Sequence, residues 1–95
     1  MSEYRTHLKI IGDILVTTRD DAQDENGATV TYLIRKANIS HVRISRILRI
    51  LVSQGLLEQT NSQGTLKYKI SDSGREFLQA YHSFSIFAEN FGLTI

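Results

Sequence analysis

The chain has 95 residues, enough for one small domain with a single core, and its 41% hydrophobic and 22% charged fractions are ordinary for a soluble globular protein. It has no cysteine, which excludes disulfides and thiolate metal sites, and no apolar run nears the roughly 18 residues of a membrane span. The formal net charge of +1 argues nothing by itself about nucleic acid, and the polar start MSEYRTHLKI does not read as a signal peptide, so the expected setting is cytoplasmic.

Leu8, Ile11 and Leu15, flanked by Ile10 and Ile14, recur at helical spacing and predict a first helix from Glu3 to about Thr18. Arg19 to Gly27 is polar and turn-forming and is expected to be a loop. A second helix is predicted from about Ala28 to Ala37, burying Val30, Leu33, Ile34 and Ala37, with Asn38 as the turn residue because its side chain tolerates left-handed backbone. Ser40 stands where an N-cap belongs. A third helix then runs from His41 to Gln54, with Ile44, Ile47, Leu48, Leu51 and Val52 as its apolar stripe and Gly55 as its stop. Leu56–Thr60 and Leu66–Ile70 read as two strands around a hairpin loop, Asn61 to Gly64. Ser71 caps a final helix that Gly92 should end, leaving Leu93 to Ile95 as a short cap. The order α-α-α-β-β-α is that of a mainly α (α+β) winged helix-turn-helix. Residues 1–70 form that domain, and residues 71–95 form a C-terminal helix packed on it.

The charge is unevenly placed. Asp20, Asp21, Asp24 and Glu25 fall together, whereas Asn26 to Leu57 holds Arg35, Lys36, Arg43, Arg46 and Arg49 and no acid. Segregation of this kind predicts a basic face and an acidic edge. On a helical wheel with Ile44, Leu48 and Leu51 inward, Val42, Ser45, Arg46, Arg49 and Ser53 point outward, and Arg43 lies on the flank. Arginine forks onto guanine or phosphate, and Ser45 and His41 can donate to either, which is the composition of a DNA-recognition helix. A stabilised solvent face would instead interleave acids at four-residue spacing. His41, when protonated, strengthens phosphate contact at low pH. Lys67 and Lys69 alternate with Leu66, Tyr68 and Ile70, so they share a face of the hairpin and can reach backbone phosphates.

Phe77, Tyr81, Phe84, Ala88, Phe91 and Ile95 are spaced 4-3-4-3-4, a coiled-coil-like seam supplemented by Leu78, Ile86 and Phe87. This is more large apolar surface than a small domain easily hides, and a twofold dimer through Phe77, Tyr81, Phe84, Phe87, Ala88 and Phe91 is expected to cover it. Enzymatic readings find no support. His7, His41 and His82 are scattered, no metal box or phosphate-cradling glycine loop is present, and no serine sits in a nucleophile context. No catalytic residue, metal or cofactor is expected.

The segments HLKIIGDILVTT, TYLIRKANISHVRISRILRILVSQGLLEQ and YKISDSGREFLQAY resemble the archaeal winged-helix proteins of the small "ten-a" chromatin-associated family and their relatives, over about Tyr4 to Tyr81. The resemblance implies a winged helix-turn-helix fold, double-stranded DNA as partner, nucleoid association, and an antiparallel coiled-coil homodimer made by the last helix. Matched onto KANISHVRISRIL and the residues after it, it places DNA contacts at Lys36, Ser40, His41, Arg43, Arg46 and Arg49. Chromatin members are strongly basic, whereas this chain is near neutral, which favours a sequence-reading transcriptional regulator, and the short, phenylalanine-rich last helix favours a compact dimer. The alternatives are a protein-interaction winged helix serving as an adaptor in a multisubunit complex, and a non-specific architectural chromatin protein.

Overall fold

The computed structural model of the chain describes residues 6–21 and 26–95. The elements in chain order are α1 (His7–Asp20), β1 (Ala28–Thr29), α2 (Val30–Ala37), α3 (His41–Ser53), β2 (Leu57–Ser62), β3 (Thr65–Ile70) and α4 (Asp72–Glu89). The four described helices start with the same device. The hydroxyl oxygens of Thr6, Thr29, Ser40 and Ser71 accept the amides of Lys9, Tyr32, Arg43 and Gly74 at 3.0–3.2 Å, satisfying first-turn donors that have no partner within the helix. Asn38 ends α2 in the left-handed region at φ 57°, as its place between the two helices predicts. At the far end of the chain, α4 stops at Glu89. Gly92, at φ 75°, closes a terminal turn in which the Leu93 amide donates to the Ala88 carbonyl at 3.0 Å.

The three strands form one antiparallel sheet in the order β1-β3-β2. The expected order α-α-α-β-β-α therefore gains a strand. Ala28 and Thr29 pair with Tyr68 and Lys67 instead of opening the second helix, which starts at Val30. Gly27 allows this. Its backbone, at φ 110°, lies so close to β3 that a Cβ would overlap the Tyr68 carbonyl oxygen, and only glycine accepts both conditions cheaply. Thr29 then serves twice, as the last strand residue and as the cap of α2. The hairpin is also tighter than expected. Asn61 and Ser62 belong to β2, and the loop is the pair Gln63-Gly64, both at positive φ (52° and 81°), the two-residue geometry that matches strand twist. The Asn61 side-chain oxygen accepts the Gly64 amide at 3.1 Å.

One core lies between the helices and the inner face of the sheet. Its fully buried members include Ile10, Ile14 and Leu15 of α1, Leu33 of α2, Ile44, Leu48 and Leu51 of α3, and Leu57 of β2, with Tyr68, Ile70 and Leu78 closing it. In α1 the buried face is centred on Ile10 and Ile14, and Leu8 and Ile11 are only half-buried, so the inward stripe is rotated from the Leu8–Ile11–Leu15 line. The helix also runs two residues past Thr18; its expected start at Glu3 lies outside the described residues. Thr17 and Thr18 are buried but return their hydroxyls to the Asp13 and Leu15 carbonyls at 2.8 and 2.9 Å, so neither is left unpaired. α4 crosses α1 where Gly12 faces Tyr81; a Cβ on Gly12 would sit 2.7 Å from the Tyr81 ring. Of the acidic run, Asp20 and Asp21 are exposed, and residues 22–25 lie outside the described residues.

Candidate nucleic-acid interface

α3 carries two chemistries on one rod. Ile44, Ile47, Leu48 and Leu51 are at most 2% exposed and anchor it in the core. The opposite side presents His41, Val42, Arg43, Arg46 and Arg49, all exposed, with Ser45 half-exposed. The inward and outward sets thus fall as the helical wheel predicts, except that Val52 is only half-buried and Ile50 is 43% exposed on the outer side. Among the described residues no carboxylate pairs with Arg43, Arg46 or Arg49. The contrast is Arg19 at the end of α1, whose guanidinium forks onto Asp20 at 2.7 and 2.9 Å. That hydrogen bonding holds the Asp20 carboxyl below its ordinary range and Arg19 above its own, so this cation is already compensated. The arginines of α3 have no such fork among the described residues.

Ser40 is exposed, and its hydroxyl oxygen already accepts the Arg43 amide at 3.2 Å, leaving its proton for an outside acceptor. Lys36, at the end of α2, is exposed with its ammonium 5.9 Å from the centroid of the Tyr32 ring, a weak cation–π contact that holds the charge near the turn into α3.

On the hairpin, Tyr68 and Ile70 are buried while Lys67 is half-buried and Lys69 exposed, so the expected alternation holds from residue 67 onward; Leu66 is 41% exposed toward the tip. The pairing register sets Lys69 opposite Glu58 and Lys67 opposite Thr60. Sequence reasoning about β3 alone misses that Glu58 stands across from Lys69, which only the register reveals. Tyr68 accepts a hydrogen bond from the Gln59 amide at 3.1 Å, consistent with a core residue rather than a stacking surface.

The six residues expected at a dimer contact, five on α4 and Phe91 in the turn after it, divide between inward and outward sides. Phe77 and Tyr81 pack partly buried on the core, and Ala88 is 3% exposed within the fold. Phe84, Phe87 and Phe91 face outward at 53%, 57% and 69% exposure, with the Phe87 and Phe91 rings 5.1 Å apart and tilted. Ile86, 50% exposed, lies on the other flank, where α1 and α4 line an open groove of about 720 Å³.

A profile of the winged helix-turn-helix family matches residues 4–89. The chain belongs to this family. In a winged helix-turn-helix, α2, the Asn38–Ser40 turn and α3 form the helix-turn-helix, with α3 the recognition helix and the β2–β3 hairpin the wing. The fold is similar to that of Sso10a-2, a DNA-binding protein from Sulfolobus solfataricus. The TM-score is 0.77 at 25% identity, covering 92% of this chain and 85% of that one. This likeness bears out the resemblance to the archaeal small "ten-a" family carried by the sequence motifs. The zinc-dependent MarR family transcriptional regulator AdcR, in its Zn(II)-bound state, is similar at a TM-score of 0.55 and 19% identity, over 87% of this chain and 55% of that one; the likeness is one of fold. Among the described residues no group of three or more histidines and acids stands where it could hold a metal ion. No helix among them is long and apolar enough to cross a membrane, and no curated protein sequence matches the chain.

Proposed function

We propose that this winged helix-turn-helix is a homodimeric, non-enzymatic double-stranded-DNA-binding protein that acts as a transcriptional regulator on the nucleoid of the cytoplasm. The observation that carries the reading is the outer face of α3, where Arg43, Arg46 and Arg49 stand exposed, with no carboxylate partner among the described residues, on a helix whose other face is locked into the core. Such a helix fits the major groove, where arginine reads guanine or grips phosphate, and the wing lysines Lys67 and Lys69 contribute backbone contacts. Lys36, Ser40, His41 and Ser45 border the same face. The likeness to Sso10a-2, itself a DNA-binding protein, supports the same assignment. The outward phenylalanines of α4 support a dimer that presents two recognition helices to one duplex.

The test is fluorescence anisotropy on duplex DNA across a salt series. A dimer neutralising about six phosphates gives a log–log slope of roughly −5. The double variant Arg46→Ala/Arg49→Ala removes up to four of those contacts and should bring the slope to about −2, while its thermal melt stays that of the parent because neither residue faces the core. A well-folded double variant that keeps its affinity would falsify the assignment of α3.

A further inference from the structure

The outer face of α3 has one feature that phosphate binding does not use. Val42 is 70% exposed, above every other large hydrophobic residue described, and it stands in the first turn of α3 among outward residues that are cationic or polar, apart from Ile50, 43% exposed two turns later and about 80° around the helix. At 100° per residue it lies about 40° around the helix from Arg46 and about 20° from Arg49, so the three share one ridge, and the rise places Val42 about 6 Å before Arg46. Valine does nothing for the helix at this position. It is among the poorer helix formers, offers no hydrogen bond, and reaches no core neighbour that would repay its exposure to water. A β-branched aliphatic tip amid cations suits a surface that is polyanionic overall and apolar at one point. The major groove of a thymine-containing duplex is such a surface, because the C5-methyl of thymine is the one apolar group its base edges present.

We infer that Val42 is a specificity-determining residue that reads a thymine C5-methyl group in the major groove, within about two base-pair steps of the base or phosphate gripped by Arg46. The inference rests on the proposed DNA contact of α3 and adds to it a base preference. Thymine is selected by burial of its methyl against the valine methyls, and cytosine or 2′-deoxyuridine at the same place is penalised by the loss of that contact.

The probe is a duplex enriched from a randomised pool by the wild-type protein, resynthesised with each thymine replaced singly by 2′-deoxyuridine, which deletes the methyl and keeps Watson–Crick pairing. Wild type should lose about fourfold in affinity at one thymine per half-site, and about fifteenfold when both half-sites are changed. Val42→Ala should bind the thymine duplex more weakly and be insensitive to that replacement. Its salt slope should be unchanged, since no phosphate contact is lost. A wild-type protein indifferent to every replacement, a Val42→Ala protein with the same loss as wild type, or enrichment of no sequence at all would each overturn the role of Val42 while leaving DNA binding intact. Failure to bind any duplex at low salt would instead overturn the reading of α3 itself.

Discussion

The proposed dimer has the most quantitative consequence. Phe84 and Phe87 of α4 and Phe91 in the turn after it are 53%, 57% and 69% exposed. At roughly 200 Å² per phenylalanine this is about 350 Å² of aromatic surface per protomer, and covering it on both protomers is worth about 18 kcal/mol at about 25 cal/mol/Å². Association entropy and side-chain ordering cost on the order of 10 kcal/mol, leaving about 8 kcal/mol, a dissociation constant near 1 μM. In a twofold interface every substitution counts twice. Phe87→Ala removes about 100 Å² from each side, about 5 kcal/mol in all, and should weaken the dimer more than a thousandfold, into the millimolar range. Sedimentation velocity at 20 μM should then show a dimer for the parent and a monomer for the variant. Because Phe87 lies outside the core, the variant should retain the parent's helical circular dichroism. Ile86→Ala is the matching control: Ile86 is 50% exposed on the groove flank, about 100° around α4 from Phe87, and its loss should leave the dimer intact. A Phe87→Ala protein that stays dimeric at 20 μM, or an Ile86→Ala protein that dissociates, would refute the assignment of the phenylalanine face.

Gly74→Ala should be costly although it touches no proposed contact. A Cβ there would overlap the Leu56 carbonyl oxygen, which already accepts the Ser71 amide, so backbone rather than a flexible side chain must yield; a loss of about 2 kcal/mol and a fall of about 10 °C in Tm are expected by thermal circular dichroism. Glu58→Gln should strengthen DNA binding about two- to fivefold per protomer at low salt, because it removes a carboxylate that stands opposite Lys69 in the wing register; equal affinity of variant and parent at 50 mM salt would show that the Glu58 charge does not act on bound DNA.

What the sequence discloses depends on how many residues carry each signal. α3 is legible because thirteen residues repeat one amphipathic pattern between a serine cap and a glycine stop, so its boundaries and its outward arginines emerge from spacing alone. β1 is illegible for the converse reason. Two residues cannot display an alternation, and the information that makes Ala28 and Thr29 a strand resides in β3, forty positions later, and in the close approach of Gly27. The seam on α4 shows a third situation. Its 4-3-4 spacing runs through two adjacent faces: Tyr81 and Ala88 turn toward the chain's own core, whereas Phe84, Phe87 and Phe91 turn away from it. Periodicity finds apolar residues but cannot tell an intramolecular surface from an intermolecular one when both lie on the same helix.

The near-neutral total charge is itself part of how such a protein would work. Ten acids balance eleven Lys and Arg residues, yet none falls between Asn26 and Leu57, and the described acids sit on α1 and the residue after it, at the base of the wing and on α4. Segregated charge with little net charge orients approach instead of holding the protein on every anionic surface. Uniformly basic chains bind any duplex through counterion release, and sequence preference is then diluted by abundant non-specific sites. Concentrating cations on α3 and its borders should keep non-specific affinity modest, so the proposed base-edge contacts of Arg46, Arg49 and the valine beside them would form a larger share of the total. On this argument the charge pattern favours regulation at chosen sites over general coating of DNA. The difference is measurable as the ratio of affinities for an enriched and an unrelated duplex at 150 mM salt: a ratio above about a thousand fits a regulator, and a ratio near one fits an architectural protein.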